Sequence, residues 1–354
     1  MNVHCLTNRR DDPDNVPAAS PAAKNVPCDD IDAFSKLFDG VRLESVQLSP
    51  GKFDASVAFA PMEEASIHLS RCACTVEMRM KVDPDRFLFC VCIGEDTEDL
   101  VFGTRDPASW IFVLPPEGAA AMPAPENSTL LTLSVAGKAI LENDILVPEA
   151  RTWFEKVRPE GAFVRSKRLA SRLREDVMLP LLGGPRTSMA GSPKSGQSVG
   201  EAMMSGIMSA FSLEWLIHGG LEVDRRTPAS DRFFRARRLI CEHDFTIGDG
   251  LNRALSRLGS MRSVEQAFAS HVQMGPHSYA RAIRLHNARQ RLRDKRYSGE
   301  SVGNIAACEG FWDCSRFALY YRKHFGEQPS QTRKKTIIRQ GSPDFCSFAG
   351  RFRQ

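Results

Sequence analysis

Two short runs of polar and basic side chains stand at the starts of two segments with helical patterning. The first holds Ser260, Met261, Arg262, Glu265 and Gln266. The second holds Trp312, Asp313, Cys314, Ser315 and Arg316, with Arg322 and Lys323 further along. Arginine can make paired hydrogen bonds to a guanine edge, and glutamine can do so to an adenine edge. Ser260 is a good N-cap, which would set the first run on the opening turn of its helix. Arg262 and Arg316 are the strongest base or phosphate contacts on this reading. Arg322, Lys323 and the run Arg333 to Lys335 suit phosphates, which position a protein without specifying sequence. Trp312 has two readings: packing on a sugar-phosphate backbone, or a half-buried core position.

The elements that would present these side chains are written twice. Residues 301–330 read as a short helix from Ser301 to Cys308, a turn at Glu309-Gly310-Phe311, and a helix from Asp313 to His324. Gly310 gives the turn its backbone freedom. Phe311 is expected to plug the corner, and Phe317, Tyr321 and Phe325 recur at four-residue steps, so one helix face is core. Residues 246–276 repeat the plan: helix, a turn at Arg257-Leu258-Gly259-Ser260, helix, and Pro276. Gly248 and Gly250 weaken the helix before that turn, at about 1 kcal/mol each against alanine. Between the units, a helix from Pro276 to Lys295 would have 20 residues and a length of about 30 Å. Successive major grooves on one face of B-DNA lie roughly 34 Å apart. One rod could hold two reading helices one turn apart.

The second unit resembles the signature of the AraC/XylS family of bacterial transcription activators. Ile305, Ala306, Gly310, Phe311, Ser315, Phe317, Phe325, Gly326, Pro329 and Ser330 match it, as do Arg284, Leu285, Ala288 and Leu292 in the intervening helix. The Gly310-Phe311-Trp312 step and its spacing to Phe325 are most similar to ethanolamine-operon regulators within that family. The resemblance covers about residues 232–335. It departs at Leu319, where the family usually has an arginine, and in the less regular first unit. It implies a cupin-like sensory domain upstream, promoter DNA and RNA polymerase as partners, and activation as the usual outcome.

Charge points the same way. The formal net charge of +4 is split: residues 231–354 carry 23 Lys+Arg against 11 Asp+Glu, a balance of +12, which leaves −8 for residues 1–230. A basic module on an acidic body is the electrostatic footprint of nucleic-acid binding. No window approaches the ~20 apolar residues of a membrane span, and the N-terminus lacks the apolar segment of a secretory signal. The ten cysteines are sparse and lie in periodic apolar segments, so reduced thiols in a cytoplasm are expected. Cys72 with Cys74, and Cys90 with Cys92, could gather thiolates around zinc. The stronger reading is a core stripe shared with Val76, Met78 and Met80. No HxH, HExxH, phosphate-loop or nucleophile-elbow pattern occurs, so no metal, cofactor or catalytic residue is expected.

The expected class is α+β. Residues 1–30 read as disordered, and 31–146 as a β-rich sensory or dimerisation domain, a cupin-like barrel or sandwich. Within it Cys72 to Met80 alternates cleanly, and Phe87 to Ile93 reads as a strand buried on both faces. Residues 147–182 read as helical, with Trp153, Phe154, Leu173 and Leu181 offering surplus apolar surface for a homodimer. Residues 183–198 read as a flexible linker, 199–230 as a connecting helix, 231–336 as an all-α double helix-turn-helix domain, and 337–354 as a tail. The function expected is sequence-specific transcription regulation, with a small-molecule or other signal received by the β domain. The alternatives are an enzyme or DNA-modifying protein targeted by the double motif, and an adaptor whose sensor fold binds nothing.

Overall fold

The computed structural model describes residues 24–62, 64–93, 109–178, 199–221, 223, 227–242 and 249–334. Among these, ten strands come first: β1 (Lys24–Cys28), β2 (Val41–Gln47), β3 (Ala55–Pro61), β4 (Ala65–Cys72), β5 (Val76–Val82), β6 (Arg86–Ile93), β7 (Trp110–Leu114), β8 (Ala119–Ala124), β9 (Thr129–Ala136) and β10 (Ala162–Arg165). Small helices α1 (Ile31–Ser35), α2 (Gly137–Leu141), α3 (Pro148–Glu155) and α4 (Lys167–Ser171) lie among them, and a π-helical segment, Arg172–Met178, follows α4. The strands form a seven-stranded antiparallel sheet in the order β1-β3-β4-β9-β6-β7-β10 and a small sheet, β2-β5-β8.

Alternation sorts the side chains between two cores. In β6, Leu88, Cys90 and Cys92 point into the space between the sheets, while Phe87, Phe89 and Val91 point to the opposite face. That face is covered by α3 and by α5 (Val199–His218), through Phe154, Met203, Ile207 and Phe211. A strand covered on both sides has no polar face to show, hence the unbroken apolar run. The two sheets enclosing one core make this the sandwich of the two expected β architectures.

Several boundaries differ from expectation. Residues 24–30 are ordered: β1 pairs with β3 at the sheet edge, where Pro27 is tolerated, and Asp30 caps α1 by accepting from the backbone N–H of Asp32 and Ala33. The alternating stretch from Cys72 to Met80 is broken at 73–75, where Ala73 N–H bonds to Asp54 and Thr75 N–H to the Ser49 hydroxyl. Cys72 and Cys74 still reach the same core. The region 147–182 is not all helical: Gly161, at φ +84°, turns the chain into β10, and Phe163 packs on Phe112 with ring centroids 4.5 Å apart. The surplus apolar surface is used internally, because α5 buries Phe154 and Leu173 completely and Trp153 in part. Thus α5 belongs to the N-terminal layer. Leu181, the linker at 183–198 and the tail at 337–354 lie outside the described residues.

The C-terminal helices are α6 (Pro228–Glu242), α7 (Asp249–Leu255), α8 (Met261–Val272), α9 (Pro276–Arg293), α10 (Val302–Cys308) and α11 (Cys314–Phe325). They form two cores. Phe233, Leu255, Val264, Phe268, Tyr279 and Ile283 lie in the first; Leu285, Leu292, Ile305, Phe311, Phe317, Tyr321 and Phe325 lie in the second. Among the described helices, only α9 contributes to both. It has 18 residues, two fewer than expected, for about 27 Å.

The small sheet turns its other face to these helices. Glu77 on β5 is fully buried; its carboxylate receives two hydrogen bonds of 2.8 Å from Arg237 on α6, one of 2.9 Å from Arg79, and the hydroxyl of Tyr279 on α9. Asp30 receives Arg293 at 2.6 Å and Arg289 at 3.2 Å. The acidic body therefore spends carboxylates on the back of the basic module, and Arg237, Arg289 and Arg293 are not charges held for a partner.

Two buried histidines tie stability to pH. Burial pushes His68 and His324 down to about 4. Asp39 works against this at His68 and the Gln47 carbonyl at His324, whereas His286, Arg281 and Arg289 push His324 further down. Each stays neutral when folded and would take a proton near 6.5 when unfolded. The stability gained is complete above about pH 6.5 and is lost as pH falls toward 4, at up to about 1.4 kcal/mol per pH unit for each. The melting temperature should drop as pH is lowered from 7.5 to 4.5, and less steeply in His324→Gln. A flat profile in the unaltered protein would contradict this burial.

Candidate nucleic-acid interface

Both expected reading helices form, and each is capped by its own sequence. Ser260 accepts from Ser263 N–H at 3.2 Å and opens α8. Asp313 accepts from Ser315 and Arg316 N–H, both at 2.9 Å, and opens α11. Ser260 and Asp313 are thus occupied as caps, though both remain exposed. Ahead of each lies a glycine in the left-handed region, Gly259 at φ +137° and Gly310 at φ +78°. Side-chain-bearing residues enter that region only with strain, so these turns close tightly on glycine.

In α8 the buried side chains are Val264, Ala267, Phe268, His271 and Val272. The opposite face carries Arg262, Glu265 and Gln266, all exposed. Met261 departs from the expected set: it lies at the edge of the core face and packs half-buried on the first core. Ahead of the first unit's turn, α7 passes into a single 3-10 turn at Ser256–Leu258.

In α11 the buried face is Phe317, Tyr321, His324 and Phe325. Cys314, Ser315, Arg316, Arg322 and Lys323 are exposed, and Arg316, Arg322 and Lys323 enter no ion pair among the described residues. Trp312 is 76% exposed, so the half-buried core reading does not hold. Phe311 is 5% exposed and sits 5.1 Å from the Phe317 ring, the corner plug the pattern demanded.

One surface residue was singled out only as a departure from the family pattern, not as a contact. Leu319 is 55% exposed at the centre of this face, between Ser315 and Arg322 on one side and Arg316 and Lys323 on the other. Its signal was present as an apolar residue out of step with the core positions at 317, 321 and 325. Such an apolar side chain can meet a thymine methyl group.

The paired cysteines are buried between the sheets. Burial pushes Cys72 and Cys90 up to about 12 and Cys92 up to about 11. Held protonated, they are poor nucleophiles. No described helix is long and apolar enough to cross a membrane.

A family model described as a helix-turn-helix domain matches residues 259–335. A xylDLEGF operon transcriptional activator of Pseudomonas putida is 33% identical over 105 residues, 28% of this chain and 32% of that protein. The HTH-type transcriptional activator RhaS of Pectobacterium carotovorum subsp. carotovorum is 31% identical over 80 residues, 23% of this chain and 28% of that protein. The crystal structure of the AraC-like transcriptional activator CuxR aligns at 11% identity with a TM-score of 0.34, over 75% of this chain and 94% of that one. The chain thus spans about a third of the length of the curated relatives it matches. With two capped helices carried on one connecting helix, residues 259–335 have the arrangement of the helix-turn-helix domain whose model they match.

Proposed function

We propose that the protein is a transcription regulator that binds promoter DNA with both helix-turn-helix units on one face of the duplex. The observation that carries this is the matched pair of exposed helix starts, Arg262 with Gln266 and Arg316 with Leu319, on two cores joined by one rod of about 27 Å. Arg322 and Lys323 supply phosphate contacts. Activation through RNA polymerase, a small-molecule or other effector taken up by the sandwich, a homodimer and a cytoplasmic location belong to the same proposal. The matched relatives' names support activation. The buried Glu77 cluster supports a sensing role, since it joins the sandwich directly to α6 and α9.

Arg262→Ala and Arg316→Ala should each weaken binding to a selected duplex by about 1–3 kcal/mol, with no change in melting temperature. Binding should also weaken steeply with salt, though less than the net charge suggests, because Arg237, Arg289 and Arg293 are already paired. Unchanged affinity and sequence preference in both variants would show that these faces do not read DNA.

A further inference from the structure

Among the described residues, the helices of the two helix-turn-helix units have separate cores that share α9. A single helix can bend or rotate locally, so by itself it sets the angle between the units only loosely. A further described segment touches both. Val46 in β2 and Leu48 just past its end are buried inside the first unit's core beside Phe233, Tyr279 and Ile283. Gln47 lies between them and serves the second unit. Its amide donates to the His324 carbonyl at 3.0 Å, and His324 Nε2 donates back to the Gln47 carbonyl at 3.0 Å. Gly51 N–H donates to the same His324 carbonyl, also at 3.0 Å, at the end of the second reading helix. Strand alternation thus delivers successive residues of the sandwich to the two units in turn. Val46, Gln47, Leu48 and His324 are buried and Gly51 is half-buried, and the exposed starts of α8 and α11 remain open.

We propose that the segment from Val46 to Gly51 is a specificity-determining wedge, which fixes the separation of the two units and thereby the number of base pairs the chain prefers between its two DNA segments. The proposal rests on the reading above, that both units bind one duplex. Its residues touch no DNA and act by position. One base pair added between the segments moves one of them by roughly 3.4 Å and turns it about 35° around the duplex. A rigidly held pair of units should resist that change, and a pair held by α9 alone should follow it.

The test uses the full chain and duplexes it selects from a random pool. The selected sequence is then remade with one base pair inserted or removed between the two protected segments. The unaltered protein should lose about tenfold or more in affinity for either altered duplex. Gln47→Ala and Leu48→Ala should reduce that penalty to about threefold or less, while keeping the base preference within each segment. Arg262→Ala serves as the contrast: weaker binding at every spacing, with the penalty intact. A penalty unchanged in the wedge variants, or an equal loss at every spacing, would overturn the proposal. Should Leu48→Ala fail to fold in a thermal melt, Gln47→Ala decides alone, since it takes no apolar side chain from either core. Selection of no duplex by the unaltered protein would overturn the DNA-binding reading and the wedge with it.

Discussion

Phe311→Ala should lower thermal stability and DNA affinity together. The ring is buried at the corner of the second unit, in contact range of Phe317 and in one cluster with Ile305 and Tyr321. Truncating a buried phenylalanine costs about 3–5 kcal/mol, because apolar area is lost and a cavity is left. The cluster is small and separate from the first core. The damage should therefore stay in α10 and α11, and protection of the DNA segment bound by the first unit should survive. Arg316→Ala makes the contrast, with binding lost and the melt unchanged. If Phe311→Ala melts like the unaltered protein, the corner is not packed as described and the face assignment of α11 falls.

Glu77→Gln should loosen the C-terminal module from the sandwich. The carboxylate is 0% exposed and holds Arg237, Arg79 and Tyr279 at once. Burial alone would raise its titration range, but the Arg237 hydrogen bonds and charge outweigh this and hold the group at about 2. Its stabilisation is therefore complete above the ordinary carboxyl range and is lost as pH falls toward 2. The amide keeps the shape and removes the charge, leaving two guanidinium groups under-compensated; breaking a buried pair from one side costs about 3–5 kcal/mol. The unaltered protein should unfold in one calorimetric transition and Glu77→Gln in two, the C-terminal module melting first. A single transition at an unshifted temperature in the variant would show that Glu77 does not join the domains.

The helix-turn-helix module was largely legible because its physics is local. Four-residue apolar steps, a glycine at each turn and a capping Ser260 or Asp313 lie within a few residues of what they control. The assignments that shifted depend on contacts distant in sequence. Met261 looks like a surface residue until the first core is assembled beside it. Trp153 and Phe154 look unpartnered until α5 arrives from some fifty residues downstream. Phe163 fits a helical pattern until Gly161 turns the chain against Phe112. The domain interface was the least visible. Glu77 reads as the polar side of an alternating strand, the usual mark of a solvent face, and only the approach of Arg237 and Tyr279 makes that face an interior. The same contacts explain part of the charge split, which was read from the sequence wholly as a footprint of nucleic acid.

The most direct test is to let the full chain select duplexes from a random pool and to map which bases each unit reads. Two conserved segments should emerge, one helical turn apart on the same face of the duplex, roughly 34 Å between centres. Arg262→Ala should erase preference in one segment and Arg316→Ala in the other. A single segment, or two that respond together to either substitution, would contradict the account of two units reading DNA side by side.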